Sequence, residues 1–343
     1  MEPVTHALTS LAVARVGQKR LPRFGTAMLV VAGVAPDVDY ASYLGGAGSF
    51  LRFDRTLLHS LPSSFMLVVA IATAFYFFAV SREPQSPDRD GSVAPRLNFG
   101  TALLVCAVGF SVHLLLDLAS GVGVRLLWPF RVRWFAFDLL REFDIRILGF
   151  LVAGLLLPML IGLVSEEIGE RKEHDRGRGS ALAALALILV YVGARVVLHS
   201  RAIEMLESND YHGRAALAAG AFPSSTNPLE WRGVVSTDNT IEEVGVSFGL
   251  GREFDPERSV TQYKPDDSSA LQAGQRTAAA QEFLKYARFP LASVVRIGDQ
   301  YQFDLRDARF ATNDASPANI FVRVGISNSM QTLRQEILFA SQK

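Results

Sequence analysis

Histidine and aspartate side chains recur at four places within the most apolar half of the chain. The clusters are Thr5-His6, Asp37-Val38-Asp39, His59-Ser60, and His113 with Asp117. Imidazole and carboxylate groups are the ligands of hydrolytic metal sites, and helices that face hydrocarbon have no structural use for them. The residue types therefore predict a buried metal centre, whose expected ligands are His6, Asp37, Asp39, His59, His113 and Asp117.

The spacing of His113 and Asp117 suits one metal ion. The two residues are four positions apart, so on a helix they lie on one face with their Cβ atoms about 5–6 Å apart. That separation lets both side chains bind a single ion. The alternative is a His–Asp hydrogen bond that only stabilises helix packing.

Asp37 and Asp39 follow Pro36, which we expect to end or kink the preceding apolar helix. Alternate residues of an extended turn point the same way, so both carboxylates could bind one cation. In a second arrangement, one of them binds the ion while the other orients a histidine. An aspartate-rich helix end that makes Asx turns is the alternative. We expect Asp37 to accept a proton during catalysis.

Arginines lie close to these clusters. Arg52 and Arg55 precede His59, and Arg125 follows Asp117. Guanidinium groups match the geometry of phosphate and carboxylate groups, so we expect Arg52, Arg55 or Arg125 to neutralise an anionic substrate. Arginines that extend toward lipid headgroups are the alternative.

Apolar residues are concentrated before residue 200. Hydrophobic residues make up 49% of the 343-residue chain, and the mean hydropathy is +0.22. A helix of roughly 20 apolar residues crosses a bilayer, and two shorter stretches, Ala7 to Val16 and Phe24 to Ala35, are expected to form a hairpin. Four predicted spans are Leu61 to Val80, Phe99 to Ala119, Ile145 to Val164, and Ala181 to Leu198.

Composition excludes several classes of protein. The net charge is zero and no basic patch with interleaved aromatic residues occurs, so no nucleic-acid partner is expected. Cys106 is the only cysteine, which excludes a disulfide framework and a cysteine metal cage. The start of the chain has neither a basic n-region nor a small-residue cleavage pattern, and we expect it to be retained.

The predicted spans bring all the polar clusters to one face of the membrane. Basic residues are more numerous in the loops of the opposite face, which places the clusters and the C-terminal region outside the cytoplasm. The opposite face has Arg15, Lys19, Arg20, Arg23, Arg82, Arg89, Arg96, Arg171, Lys172, Arg176 and Arg178, against Arg52, Arg55, Arg125, Arg131, Arg133 and Arg141.

Residues 201–343 have a different pattern. Short alternating runs, including 233–236, 244–248, 294–297, 301–305 and 320–324, are separated by turn residues and predict antiparallel strands. A helix is predicted for Ser269 to Tyr286. The predicted fold is thus mainly α: a multi-pass helical membrane domain, 1–200, followed by a small β-rich (α+β) soluble domain, 201–343. Core packing is the preferred role for Trp231 over anchoring at the membrane surface.

Four ordered motifs carry a resemblance to a known family. They are Thr5-His6-Ala7-Leu8-Thr9-Ser10, the stretch 32–39 that ends in Asp37-Val38-Asp39, Arg55-Thr56-Leu57-Leu58-His59-Ser60, and His113-Leu114-Leu115-Leu116-Asp117 followed by 123–130. In order and spacing these resemble the YdjM-like family of inner-membrane metal-dependent hydrolases, over roughly residues 1–200. The resemblance implies a bacterial inner-membrane protein with hydrolase activity.

A more distant similarity relates the order Asp, His, HxxxD to the zinc-dependent phospholipase C and P1-nuclease group. This chain lacks the further downstream histidines of that group, so one or two ions are expected rather than three. Asp138 and Asp144 are candidates for a second metal position or for helix capping, and His174, His199 and His212 have no assigned role.

The leading hypothesis is a membrane-bound hydrolase that holds one or two divalent ions, with zinc preferred for mixed imidazole and carboxylate ligands. Metal-activated water would attack a phosphoester or lipid-linked substrate. The expected partners are the lipid bilayer and a small-molecule or lipid-linked substrate. The alternatives are a non-enzymatic protein that binds or transports a metal ion, and a scaffold that recruits partners through its C-terminal domain.

Overall fold

The computed structural model describes residues 1–81, 97–167, 177–249, 254–310 and 316–340. Over these residues, helices dominate the N-terminal part, and two four-stranded antiparallel sheets follow in the C-terminal part. This architecture confirms the predicted class, a helical membrane domain followed by a β-rich α+β region.

The N-terminal helices match the predicted apolar segments. In the described part of the chain they are α1 (Pro3–Gly17), α2 (Gly25–Val34), α3 (Ala47–Phe53), α4 (Leu61–Val80), α5 (Phe99–Ala119), α6 (Ile145–Glu167) and α7 (Arg178–Glu207), with a 3-10 helix at Ala35–Gly45. Among the residues searched, α4, α5 and α7 are long and apolar enough to cross a membrane. The fourth predicted span lies in α6, where Ile145–Pro158 is a shorter apolar helix.

Helix α5 is the central span of the bundle. It begins after Asn98, whose side-chain Oδ1 accepts a hydrogen bond from the backbone N–H of Thr101 at 2.7 Å. Half of its most apolar stretch is buried, against 17% for α4 and 22% for α7. Since α5 is enclosed by protein more than its neighbours are, polar side chains on it are shielded from lipid.

Two glycines allow α2 and α5 to approach closely. A Cβ atom at Gly109 of α5 would lie 2.6 Å from the carbonyl oxygen of Leu29 and 3.3 Å from the backbone nitrogen of Gly33 in α2. Small residues permit this kind of close backbone contact between membrane helices. The distance between α2 and α5 therefore depends on having no side chain at Gly109.

The loops that carry most of the orientation signal are only partly described. Residues 82–96 and 168–176 lie outside the described residues, and they contain Arg82, Arg89, Arg96, Arg171, Lys172 and Arg176 of the predicted basic face, as well as His174. The sidedness of the protein therefore stays a prediction.

The C-terminal strands form two sheets with the orders β3-β4-β5-β6 and β10-β9-β8-β7, beside a short β1-β2 hairpin. All ladders are antiparallel. The strands are β1 (Asp210–Tyr211), β2 (Arg214–Ala215), β3 (Ala218–Pro223), β4 (Glu230–Ser236), β5 (Thr240–Ser247), β6 (Val260–Tyr263), β7 (Pro290–Ile297), β8 (Gln300–Asp307), β9 (Ile320–Ser327) and β10 (Thr332–Phe339). They include every predicted strand.

The single helix predicted from Ser269 to Tyr286 is wrong. The segment forms two helices, α8 (Ser269–Gln275) and α9 (Ala278–Leu284). Thr277 separates them: its backbone N–H donates to the Gly274 carbonyl, and its hydroxyl accepts from the Ala280 N–H at the start of α9. A threonine hydroxyl can end one helix and cap the start of the next, because it accepts a hydrogen bond from a backbone N–H of the second helix.

The contacts between residues divide the described chain into two compact units. One comprises 1–39, 55–131 and 135–194; the other comprises 40–54, 132–134 and 195–343. In the second unit, Phe50 of α3 belongs to the same buried core as Phe283, Phe303 and Phe339. Trp231 is also buried there, with the Arg195 guanidinium 3.6 Å from its ring centroid, in agreement with its predicted core role.

Candidate metal centre

The structure brings all six predicted metal ligands together within the first compact unit. Helix α1 supplies His6, the 3-10 helix after α2 supplies Asp37 and Asp39, the residue two positions before α4 is His59, and α5 supplies His113 and Asp117. The side chains of His6, His59, His113 and Asp117 are at most 1% exposed. Helix packing thus encloses a polar cluster whose members come from four separate segments of the chain.

Asp117 is the centre of this cluster. Its Oδ1 lies 3.3 Å from His6 Nε2, while its Oδ2 lies 3.0 Å from His59 Nε2 and 3.3 Å from His113 Nε2. The rings of His6 and His113 stack with their centroids 3.9 Å apart. One carboxylate therefore faces three imidazole nitrogens, with a different oxygen toward His6 than toward the other two.

Each of two histidines is oriented by a group behind it. His113 Nδ1 lies 2.9 Å from the carbonyl oxygen of Gly33, which can only accept, so Nδ1 carries the proton and Nε2 keeps a lone pair. His59 Nδ1 contacts Asp39 Oδ2 at 2.9 Å. Partners of this kind fix the ring orientation and the tautomer of metal-binding histidines. As a result, Nε2 of both rings faces Asp117.

Two overlapping groups of side chains have metal-binding geometry. Within each group, His6–His113–Asp117 and Asp37–His59–His113, the possible ligand atoms lie within 4.8 Å of one another. Both groups contain His113, and Asp39 contacts His59 from behind. The donor set fits one cation position, or two adjacent ones.

Several polar atoms of the cluster are buried without a hydrogen-bond partner among the residues that the structure describes. They are His6 Nδ1, Asp37 Oδ2 and Asp39 Oδ1, whereas His6 Nε2 faces Asp117, and Asp117 Oδ2 faces the other two imidazoles. Buried polar atoms in proteins are nearly always hydrogen-bonded, because an unpaired one costs roughly 1–3 kcal/mol. Unpaired buried atoms on three members of a cluster of potential ligands fit a bound cation.

Burial changes the acidity of two groups beside the spans. It raises the pKa of Asp37 to about 6. Burial alone would lower the pKa of His59, but its hydrogen bonds with Asp117 and Asp39 raise the pKa to about 10. Without an ion, therefore, a proton on His59 offsets part of the negative charge of the neighbouring carboxylates.

Arg55 is buried against two carboxylates of the protein. Its Nη1 donates to Ser120 Oγ at 2.9 Å and lies 3.5 Å from Asp117 Oδ1, and its Nη2 donates to Glu142 Oε1 at 3.1 Å. The backbone N–H of Arg125, a buried arginine, donates to the Arg55 carbonyl. Arg55 thus fixes the position of Asp117, whereas Arg52 is an exposed residue of the other compact unit.

The two later aspartates have a different environment. Asp144 Oδ1 accepts from the Arg146 N–H at the start of α6, and Oδ2 accepts from the Tyr191 hydroxyl, both at 3.0 Å. These contacts are those of a helix cap. Asp138 is buried with a left-handed backbone, φ 56°. Among the described residues, neither belongs to a group with metal-binding geometry.

Several contacts of the site are not predictable from the sequence. The Gly33 carbonyl, Ser120, Glu142 and the Met1 amino group, which pairs with Asp117, all contact the cluster. A backbone carbonyl has no sequence signature, and Glu142 lies among other charged residues. Only the packing of the helices shows their role.

A family model described as YdjM inner membrane protein matches residues 1–202, which contain the whole cluster. No curated protein and no solved structure matches the chain.

Proposed function

Because the chain belongs to the YdjM inner membrane protein family, we propose that it is a membrane-bound hydrolase that depends on one or two divalent metal ions. The proposal places it in the bacterial inner membrane. The observation that supports it is the enclosure of two overlapping groups, His6–His113–Asp117 and Asp37–His59–His113, whose possible ligand atoms lie within 4.8 Å of one another.

The donor set supports the choice of metal. Three imidazoles and two or three carboxylates, with no thiolate, are suited to zinc. His6 Nε2 and Asp117 Oδ1 face one position, and His59 Nε2, His113 Nε2 and Asp117 Oδ2 face the next. In this proposal Asp37 completes the second position, and Asp39 orients His59.

The proposed reaction is hydrolysis of a phosphoester. If the His and Asp residues of the cluster held a divalent ion, the ion would lower the pKa of a water molecule and polarise the scissile group. Asp37, at the partly exposed edge of the cluster, takes the proton of the attacking water. The water oxygen forms a bond to phosphorus, the P–O bond to the leaving group breaks, and the proton passes to the leaving oxygen.

Arg55 has a supporting role in this scheme. Its pairing with Asp117 and Glu142 holds the carboxylate of Asp117 in place, so we assign the neutralisation of an anionic substrate to Arg125. The excess of basic residues in the loops of the opposite face further supports placing the site and the C-terminal domain outside the cytoplasm.

The test is metal analysis of detergent-purified protein together with hydrolysis of bis(4-nitrophenyl) phosphate in the presence of zinc or manganese. We expect about one or two ions per chain in the wild type and a loss of both metal and turnover in His113→Ala and Asp117→Asn. His212→Ala is the matched control, because His212 belongs to the C-terminal unit and is 37% exposed. A wild type without stoichiometric metal would overturn the proposal. Metal retained without turnover would favour a metal-binding or transport protein.

A further inference from the structure

We infer that the substrate of this site is a membrane lipid that enters sideways from the bilayer, with its polar headgroup linkage as the bond to be hydrolysed. The inference rests on the proposed function and specifies its substrate class. It follows from the depth of the ligands in the bundle and from the apolar surface that surrounds them.

The ligands lie inside the end of a membrane span. Asp117 is two residues, and His113 six residues, before Ala119, the last residue of α5. At 1.5 Å per residue, these positions are about 3 Å and 9 Å inside that end of the helix. His59 precedes α4 by two residues at the same end. The site is therefore at the level where the headgroups of lipids join their acyl chains.

Apolar side chains flank every ligand segment at the protein surface. Val4, Val38, Leu57, Leu61 and Leu115 are all exposed, and each is within two positions of a ligand. A site that took its substrate from water would have a polar rim, since soluble surfaces seldom expose contiguous apolar patches without a partner. On α4, which begins at Leu61, Phe65 and Met66 are also exposed along the span.

We call the five exposed residues Val4, Val38, Leu57, Leu61 and Leu115 the collar. The least enclosed predicted ligand lies next to the most exposed residue of this collar. Asp37 has 11% of its side chain exposed, whereas Val38 is 68% exposed. Asp39 joins this segment to the His59 segment by a 2.9 Å hydrogen bond, so Leu57 belongs to the same edge. An amphipathic molecule fits here, because its chains can stay against Val38 and Leu57 while its polar linkage reaches Asp37.

The experiment measures the surroundings of the collar without using activity. In a Cys106→Ala background, Val38→Cys and Leu57→Cys are labelled with a fluorophore, and the protein is placed in phosphatidylethanolamine–phosphatidylglycerol vesicles. Nitroxide-labelled lipids report contact with acyl chains, and iodide reports contact with water. Phe65→Cys on α4 is the lipid control, and Ser329→Cys, in an exposed C-terminal turn, is the water control.

We expect Val38 and Leu57 to follow Phe65, with strong lipid quenching and at least fivefold weaker iodide quenching than at Ser329. Quenching by iodide to the level of Ser329 would overturn sideways entry, even in protein that holds metal and hydrolyses a soluble diester. Absence of metal would instead overturn the proposed function, whatever the quenching result.

A second measurement uses the substrate class directly. Metal-loaded protein is expected to hydrolyse long-chain phospholipid in vesicles at least tenfold faster than the short-chain form with the same headgroup below its aggregation limit. Equal rates on the two forms would contradict a lipid substrate taken from the bilayer.

Discussion

His113 Nε2 lies 2.9 Å from His59 Nε2, although the two residues come from different helical segments of the bundle. Each ring has its Nδ1 held by another group, the Gly33 carbonyl for His113 and Asp39 for His59. The orientation of both Nε2 atoms toward one point is therefore imposed by contacts outside the pair. This relationship makes the supporting residues as testable as the ligands.

Asp39→Asn should weaken metal binding without removing a proposed ligand. The amide replaces the carboxylate that contacts His59 Nδ1, and loss of such an orienting partner costs 10–100-fold in metal affinity in other sites. Competition with a chelator of known affinity measures the change. Asp144→Asn is the control, since Asp144 caps α6; equal affinities in the two variants would exclude the orienting role of Asp39.

Gly109→Ala should disturb the site from a distance. The new methyl group would meet the Leu29 carbonyl at 2.6 Å, so α2 and α5 must separate. Such overpacking typically costs about 1–3 kcal/mol, and here it also moves Gly33 away from His113. We expect a lower melting temperature and weaker metal binding together. Gly149→Ala, where a Cβ meets nothing within 4 Å, should change neither; wild-type metal affinity in Gly109→Ala would contradict the prediction.

Arg55→Gln should destabilise the helical unit strongly. The substitution leaves Asp117 and Glu142 without their buried guanidinium partner, and removing one member of a buried ion pair costs about 3–5 kcal/mol. Thermal unfolding in detergent, with and without added zinc, measures the loss. The exposed Arg131→Gln is the control and should stay within about 0.5 kcal/mol of wild type. A similarly small effect at Arg55 would show that the pair does not hold Asp117.

Glu242 should make the stability of the C-terminal unit depend on pH. Burial alone raises its pKa, but hydrogen bonds from Thr240, Thr261 and Ser259 outweigh this and lower the pKa below 4.5. Because the folded-state pKa is the lower one, the carboxylate stabilises the fold above about pH 4.5 and loses this contribution as the pH falls through the folded value.

We therefore expect Glu242→Gln to unfold more easily than wild type at pH 7, by about 1.5 kcal/mol. The difference should shrink as the pH is lowered below 4. Thermal unfolding followed by tryptophan fluorescence measures both conditions. A difference that is independent of pH would mean that the charge on Glu242 has no part in stability.

Composition and periodicity were sufficient to predict the membrane helices and the strands. The predicted span Leu61 to Val80 coincides with α4, and Phe99 to Ala119 with α5, since a continuous apolar run of that length leaves few other structures. The break in the predicted 269–286 helix was not predicted from the sequence. It depends on Thr277, whose hydroxyl can either face solvent along one helix or cap a second one.

The side chains that form the site could be predicted from the sequence. The groups that hold those side chains in position could not. His, Asp and HxxxD spacing mark potential ligands because few other roles suit such groups in apolar helices. The Gly33 carbonyl and the close approach at Gly109 depend on the backbone geometry of two helices. The grouping of 40–54 with the C-terminal unit could not be predicted either. Phe50 lies in the same core as Phe283, Phe303 and Phe339, which are far later in the chain.

The packing of Phe50 in the C-terminal core affects the order of events during synthesis. Phe50 packs against Phe339, and the segment 40–54 directly joins Asp39 to Arg55 and His59. Translation proceeds at about 5–20 residues per second, so Phe339 leaves the ribosome well after the membrane helices have been made. The segment 40–54, which connects Asp39 to Arg55, therefore obtains its final packing only after β10 has been translated. Until then, the helices of the nascent protein hold the His and Asp residues in the membrane without this packing.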